Sequence, residues 1–320
     1  MMEMQGGLRD VLVTEDENIR KVTFVDKANR MHHAVLFHYP DVDSVVACVS
    51  TQVGCTEDCS FCATGRFGFL RNLTAREMER QYLLAITLDY PAGHRCTTLC
   101  ILTEGMGEVS NNIDNTLQAL RAAYPLLASQ FQRIVFRVSS AGNTHFIGRY
   151  MEHVARHAPA LRKVEHHAQL SLHTPFEAER RELMPSVSRR ETLPSIVSEF
   201  SRLGAFLQTL VVCNYMLLDL PEERCNYTQR HLDELVRLLD PETFEIKLTR
   251  VVDTGSGLRS PGTPVFEAVR QFLASHGFKV KVRELMGSGI RAACGMLHYE
   301  DAAMQPNHTQ VIPAHLGKTR

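Results

Sequence analysis

From Ser44 onward the chain alternates short β-branched runs with amphipathic helical patterns, and no other feature constrains its fold as much. Residues 45–50, 98–102, 134–138, 168–172, 209–217, 244–251 and 278–283 read as strands. Between them, Leu193, Ile196, Val197 and Phe200 form one apolar face, closed by Gly204, and Leu232, Leu235, Val236 and Leu239 form another. Pro264 opens a third, holding Val265, Val269, Phe272 and Leu273 and ending at Gly277. Repeated βα units imply a parallel sheet, because each crossover helix must bury its stripe against the strands. About six in a row suit an α/β fold of the incomplete TIM-like (βα)6 barrel type better than a doubly wound sheet. Residues 45–297 are the expected barrel core. Residues 1–44 stand apart as an N-terminal β extension, with strands at 21–25 and 34–39, and residues 298–320 read as a C-terminal tail.

A barrel of this kind carries its chemistry just past the C-terminal ends of the strands. Directly after the first strand come Cys55, Cys59 and Cys62, spaced C-x3-C-x2-C with Phe61 before the third. Three thiolates are one too few for an ordinary iron–sulfur cluster, so one iron is left open to bind another molecule. A zinc knuckle is the competing reading, and it needs a fourth ligand from a second short pair. The nearest pair, Cys96 and Cys100, lies in an apolar run that reads as a strand. The spacing and the aromatic resemble the radical-SAM superfamily, whose open iron chelates S-adenosylmethionine. That resemblance makes Cys55, Cys59 and Cys62 the ligands of a 4Fe-4S cluster.

The other strand ends lead into 104–108 (Glu-Gly-Met-Gly-Glu), 139–142, 171–173, Asp253 and 287–294. Each is weak alone, since a Gly-Met-Gly turn is more often just a turn. On one rim they read as a cofactor site, where Glu108 can pair with an ammonium and serine hydroxyls can hold carboxylate or ribose oxygens.

Two further cysteines sharpen the reading. Cys48 lies seven residues before Cys55, and Cys294 lies far downstream in Ala292-Ala293-Cys294-Gly295-Met296. With Gly105-Met106-Gly107-Glu108 and Leu170-Ser171-Leu172-His173, these runs resemble the radical-SAM adenine methyltransferases of the RlmN/Cfr family, in the expected order from about Cys48 to Leu297. A lone cysteine is more often a small buried hydrophobe; two in matching contexts reverse that expectation.

The resemblance implies methylation of an adenine ring carbon in rRNA or tRNA, with two S-adenosylmethionine molecules used per turnover. An amidine carbon is electron-poor and cannot attack a sulfonium methyl, so the methyl group goes first to a thiolate, here Cys294. A 5′-deoxyadenosyl radical then takes a hydrogen from the methylated sulfur, and the carbon radical adds to the ring. Cys48 attacks the sulfur of Cys294 and releases the product as a transient disulfide forms. Gly107 and Glu108 would hold the amino end of S-adenosylmethionine, and Ser139 with Ser171, Leu172 and His173 its other parts. An electron donor such as flavodoxin or ferredoxin is implied.

Three departures from the family stand out. The 47 residues before Cys48 leave no room for the family's usual N-terminal RNA-binding domain. The strand before Cys48 lacks the family's glutamate base, and its histidines, His32, His33 and His38, are the available replacements. After the sixth strand, Val251-Val252-Asp253 replaces an aromatic, an asparagine and a proline, which suggests Asp253 for a hydroxyl contact.

A formal net charge of -1 gives no general affinity for nucleic acid, so RNA contact must come from local patches. Arg180, Arg181, Arg189 and Arg190 at the rim fit phosphates. A second group, Arg149, Arg156, Arg162 and Lys163, reads as solvated surface. The nine cysteines, an odd count, and a start without the features of a signal peptide suggest a reducing cytoplasm. The longest apolar stretch, near 207–220, is too short for a membrane span. The alternatives are a methylase of a small adenine-like molecule and, more remotely, a non-enzymatic zinc module.

Overall fold

The computed structural model describes residues 8–88, 96–220, 222, 224–283, 286–297 and 309–313. Its N-terminal strands are β1 (Leu8–Asp16), β2 (Ile19–Asp26) and β3 (Met31–Tyr39), paired antiparallel. β3 pairs antiparallel with β4 (Ser44–Val49), Val35 opposite Cys48, so the extension continues the main sheet. β5 (Gln52–Gly54) and β6 (Phe69–Asn72) form a small hairpin around the cysteine loop.

The parallel block runs from β4 through β7 (Thr98–Leu102), β8 (Arg133–Ser140), β9 (Val164–Ser171), β10 (Val211–Leu217), β11 (Phe244–Arg250) and β12 (Val280–Val282). β13 (Thr309–Pro313) pairs antiparallel with β1. The sheet order is β12-β11-β10-β9-β8-β7-β4-β3-β2-β1-β13. The parallel strands therefore follow one another around an open barrel, as the βα alternation predicts. Four strands exceed the expectation: β1, the β5–β6 hairpin, and β13 within the region read as a tail.

The helices are α1 (Ala63–Arg66), α2 (Ala75–Thr87), α3 (Ile113–Gln130), α4 (Ile147–His157), α5 (Glu177–Leu183), α6 (Pro185–Ser188), α7 (Leu193–Leu207), α8 (Gln229–Leu238) and α9 (Thr263–Ser275). In α7 the buried stripe is Leu193, Ile196, Phe200 and Leu203, and fully burying each such side chain stabilises by about 2 kcal/mol. Gly204 does not close this helix. It lies within it, where a Cβ would stand 2.8 Å from Val211 Cγ2, so glycine here permits close helix–strand packing. Gln208 takes the left-handed cap instead, at φ 54°. Among the described residues no helix is long and apolar enough to cross a membrane.

Candidate active site at the rim of the parallel strands

Cys55, Cys59 and Cys62 all line one pocket, together with Glu108, Ser139, Ser171, His173 and Cys294. Their loop is tied down on every side. Ser60 N donates to Leu183 O at 2.9 Å, Ala63 N to Gly295 O at 2.8 Å, and Thr254 Oγ1 to Phe61 O at 3.0 Å. Glu57, buried at the loop's centre, accepts from Arg190 at 2.7 Å and Asn143 at 3.2 Å. Burial first, and the neighbouring thiols second, push the Cys55 and Cys59 thiols well up. Forming three thiolates here needs a cation to receive them. Among the described residues no three His, Cys, Asp or Glu side chains converge tightly enough for a single metal ion. Three thiols carried by one short loop and facing one pocket are the kind of donor set that holds a cluster with one iron left open, so these residues fit that group.

The pocket's second wall is polar and waiting. Gly105 lets the loop after β7 lie on the end of β4: a Cβ there would stand 2.6 Å from the Val49 carbonyl. That approach sets Glu108, whose carboxylate accepts from Ser110 N at 3.1 Å and Ala141 N at 2.8 Å. Burial raises its carboxyl above the ordinary value despite those donors. Ser139 Oγ is buried without a hydrogen-bond partner. His173 sits at φ 63°, a strained conformation for a non-glycine residue, fixed by Asn226 Nδ2 donating to its carbonyl at 2.7 Å. Met216 N donates to its Nδ1 at 3.2 Å, and burial pushes its pKa down to about 3, so the imidazole is neutral.

The third wall surrounds Cys294. Glu104 Oε2 lies 3.9 Å from Cys294 Sγ, and Arg283 Nη1 lies 3.8 Å from the same sulfur. Glu104 also pairs with Lys247 at 3.3 Å and Arg283 at 3.2 Å. Burial would raise its carboxyl, but Lys247, Arg283 and Arg137 outweigh burial and hold it down at about 2. Cys48 packs behind, clustered with Ile290, Ala292 and Leu297 from the Cys294 segment. Burial, then Glu104 and Cys294, push the Cys48 thiol far up. All nine cysteines are free thiols.

Of the residues singled out in the sequence, Gly107, Glu108, Ser139, Ser171, His173, Cys294 and the trio line the pocket. Leu172 is buried beside it in the main core. Asp253 is exposed outside it, its Oδ1 accepting from Gly255 N at 2.8 Å. Two expectations need correction. His32 stacks on Phe24 at 4.8 Å and His33 bonds Thr23 Oγ1 at 2.8 Å, and none of the β3 histidines lines the pocket, so none is placed as a base. Of the four rim arginines, Arg180 is fully buried and out of reach of a phosphate; Arg190 holds Glu57 and Arg189 faces Asp58 at 3.6 Å, while Arg181 is exposed. The exposed Arg149 and Arg156 pair with Asp114 and Glu152, as solvated surface does. Glu104, Lys247 and Arg283 meet from three separate parts of the chain, just past β7, within β11 and just past β12, so no local pattern in the sequence joins them.

No protein-family model matches the chain. It is 32% identical over 288 residues to "Probable dual-specificity RNA methyltransferase RlmN" of Porphyromonas gingivalis, covering 88% of this chain and 75% of that relative. It is 31% identical over 292 residues to "Dual-specificity RNA methyltransferase RlmN" of Solidesulfovibrio magneticus, covering 90% and 77%. Among solved structures, a radical SAM methyltransferase from Sphaerobacter thermophilus superposes with a TM-score of 0.77 and 30% identity, over 91% of this chain and 81% of that one.

Proposed function

This chain belongs to the RlmN family of radical-SAM methyltransferases, and from that premise we propose that it methylates an adenine ring carbon in ribosomal or transfer RNA through a methylated Cys294, using two S-adenosylmethionine molecules per turnover. One observation carries the reading: Cys294 opens into the pocket that the cysteine trio lines, with Cys48 packed against its segment. Cys55, Cys59 and Cys62 would hold the 4Fe-4S cluster. When bound, that cluster supplies the electron that cleaves S-adenosylmethionine.

The chain's own residues do the rest. Glu108 receives the ammonium of the methionine end, a cation that favours the charged form of its buried carboxylate. Ser139 Oγ gains the partner it lacks, and Ser171 and neutral His173 complete that wall. Arg283 stabilises the Cys294 thiolate that attacks the methyl group. The later attack by Cys48 forms a sulfur–sulfur bond and breaks the sulfur–carbon bond to the product; the disulfide then needs two electrons from a reductant. A flavodoxin or ferredoxin is the partner suited to single-electron delivery. We extend the division into 1–44, 45–297 and 298–320 as a proposal in which the middle segment carries all of this chemistry.

Mass spectrometry of ribosomal and transfer RNA from cells with and without the gene tests the substrate. Loss of a C-methyladenosine on deletion is the expected result; unchanged RNA would move the reading to a small adenine-like substrate.

A further inference from the structure

Among the described residues, the largest side chain that is completely buried is a cation. Arg180, on α5, is 0% exposed. Its Nη2 donates to the carbonyls of Ala141 and Ser171, and its Nη1 to Ser188 Oγ at 3.4 Å. Nε is buried with no hydrogen-bond partner. Every one of these acceptors is neutral. A guanidinium buried among neutral groups is costly unless an anion lies close by.

The cysteine loop is what lies close by. Ser60 N donates to the carbonyl of Leu183 at the end of α5, and Ser186 N donates to Asp58 Oδ1 at 2.8 Å. Cys59 and Phe61 pack against Leu183, Met184 and Val187. Ala141 and Ser171, whose carbonyls accept from Arg180, line the same pocket as the trio. Gly142 clears the space, since a Cβ there would stand 2.8 Å from Nη2. The guanidinium thus lies beside the loop, shielded from water.

We propose that Arg180 is the buried counter-charge of the cluster held by Cys55, Cys59 and Cys62, and that it raises the cluster's reduction potential. This rests on the cluster reading above. Reduction adds one electron and makes the cluster one unit more negative, so a fixed nearby cation favours the reduced state. Little water is present to screen the interaction.

The test is a redox titration of the reconstituted protein under anaerobic conditions, read by absorbance and electron paramagnetic resonance. Arg180→Gln should take up iron and sulfide as the wild type does. At a fixed solution potential its ratio of reduced to oxidised cluster should fall about tenfold, equivalent to ~59 mV for one electron. Arg180→Lys keeps the charge and should stay within about threefold of wild type. An unchanged ratio in fully loaded Arg180→Gln would overturn the proposal. If that variant loads too little cluster to titrate, the thermal stability of the cluster-free proteins decides. A counter-charge predicts cluster-free Arg180→Gln at least as stable as cluster-free wild type, because an uncompensated charge has been removed. A less stable or unfolded variant would make Arg180 a structural clamp and overturn the proposal. Wild-type protein that takes up no iron would overturn the cluster reading and this inference together, and iron analysis separates that outcome from the others.

Discussion

Glu104 and Glu108 stand four residues apart in one loop, both buried, in opposite electrostatic settings. Glu104 faces Lys247, Arg283 and Arg137 and is held ionised, its carboxyl down at about 2. Glu108 faces backbone N–H groups and Glu57, and its carboxyl is raised. Burial alone therefore does not fix a carboxylate's state; the charges opposite it do. The Cys294 wall is complete in its own charges, whereas among the described residues Glu108 has no ion pair with a cation. The first looks like machinery preset around a thiol, and the second like a socket for a charged cofactor.

The largest effect should come from removing the trio, which takes away what the Glu108 wall serves. Cys59→Ala should abolish cluster iron and reductive cleavage of S-adenosylmethionine, measured by iron analysis and 5′-deoxyadenosine release, while Cys96→Ala retains both. The next effect separates the two glutamates by stability. Glu104→Gln leaves Lys247 and Arg283 without their anion and should destabilise by about 3 kcal/mol in denaturant titrations. Its folded pKa lies below the ordinary 4.5, so the stability it contributes is full above pH 4.5 and is lost as pH falls through about 2. The deficit of Glu104→Gln relative to wild type should shrink over that window. Glu108 has the opposite sign. Its raised carboxyl costs stability above its folded pKa, so cluster-free Glu108→Gln should match or exceed wild type at neutral pH, the difference vanishing as pH falls below 4.5. Its defect should be in affinity for S-adenosylmethionine, weakened by about 2 kcal/mol, or roughly thirtyfold, in equilibrium dialysis. The smallest effect is expected for Arg283→Gln. Single-turnover uptake of the methyl group by Cys294 should slow about fivefold, because the attacking thiolate loses its adjacent cation.

Much of the architecture was legible because parallel strands buried on both faces leave near-continuous apolar runs. β7 coincides with the expected 98–102, and β10 and β11 fall within a residue or two of their expected positions. β1 was missed because Arg9, Asp10, Glu15 and Asp16 dilute its apolar positions, and β13 because its pairing is with residues some three hundred positions away. The trio and the glycine-flanked Glu108 announce themselves by local spacing. The group around Cys294 cannot: Glu104, Lys247 and Arg283 meet only because β7, β11 and β12 end on the same rim. Lys247 carried no distinctive signal, because Glu245, Thr249 and Arg250 also interrupt the run 244–251. Gly204 misled because a glycine late in a helical stripe signals an end as readily as a close contact.

The two-cysteine route is the centre of this account, and Cys48→Ala tests it most directly. The trio, the Glu108 wall and Cys294 remain intact in that variant, so methyl uptake and addition to the ring should proceed. With no thiol to attack the Cys294 sulfur, the substrate should stay attached through a methylene bridge. Intact-protein mass spectrometry of Cys48→Ala purified from cells should find a nuclease-sensitive RNA adduct, and peptide mapping should place it on Cys294. A Cys48→Ala protein that turns over normally, with no adduct at Cys294, would contradict the account.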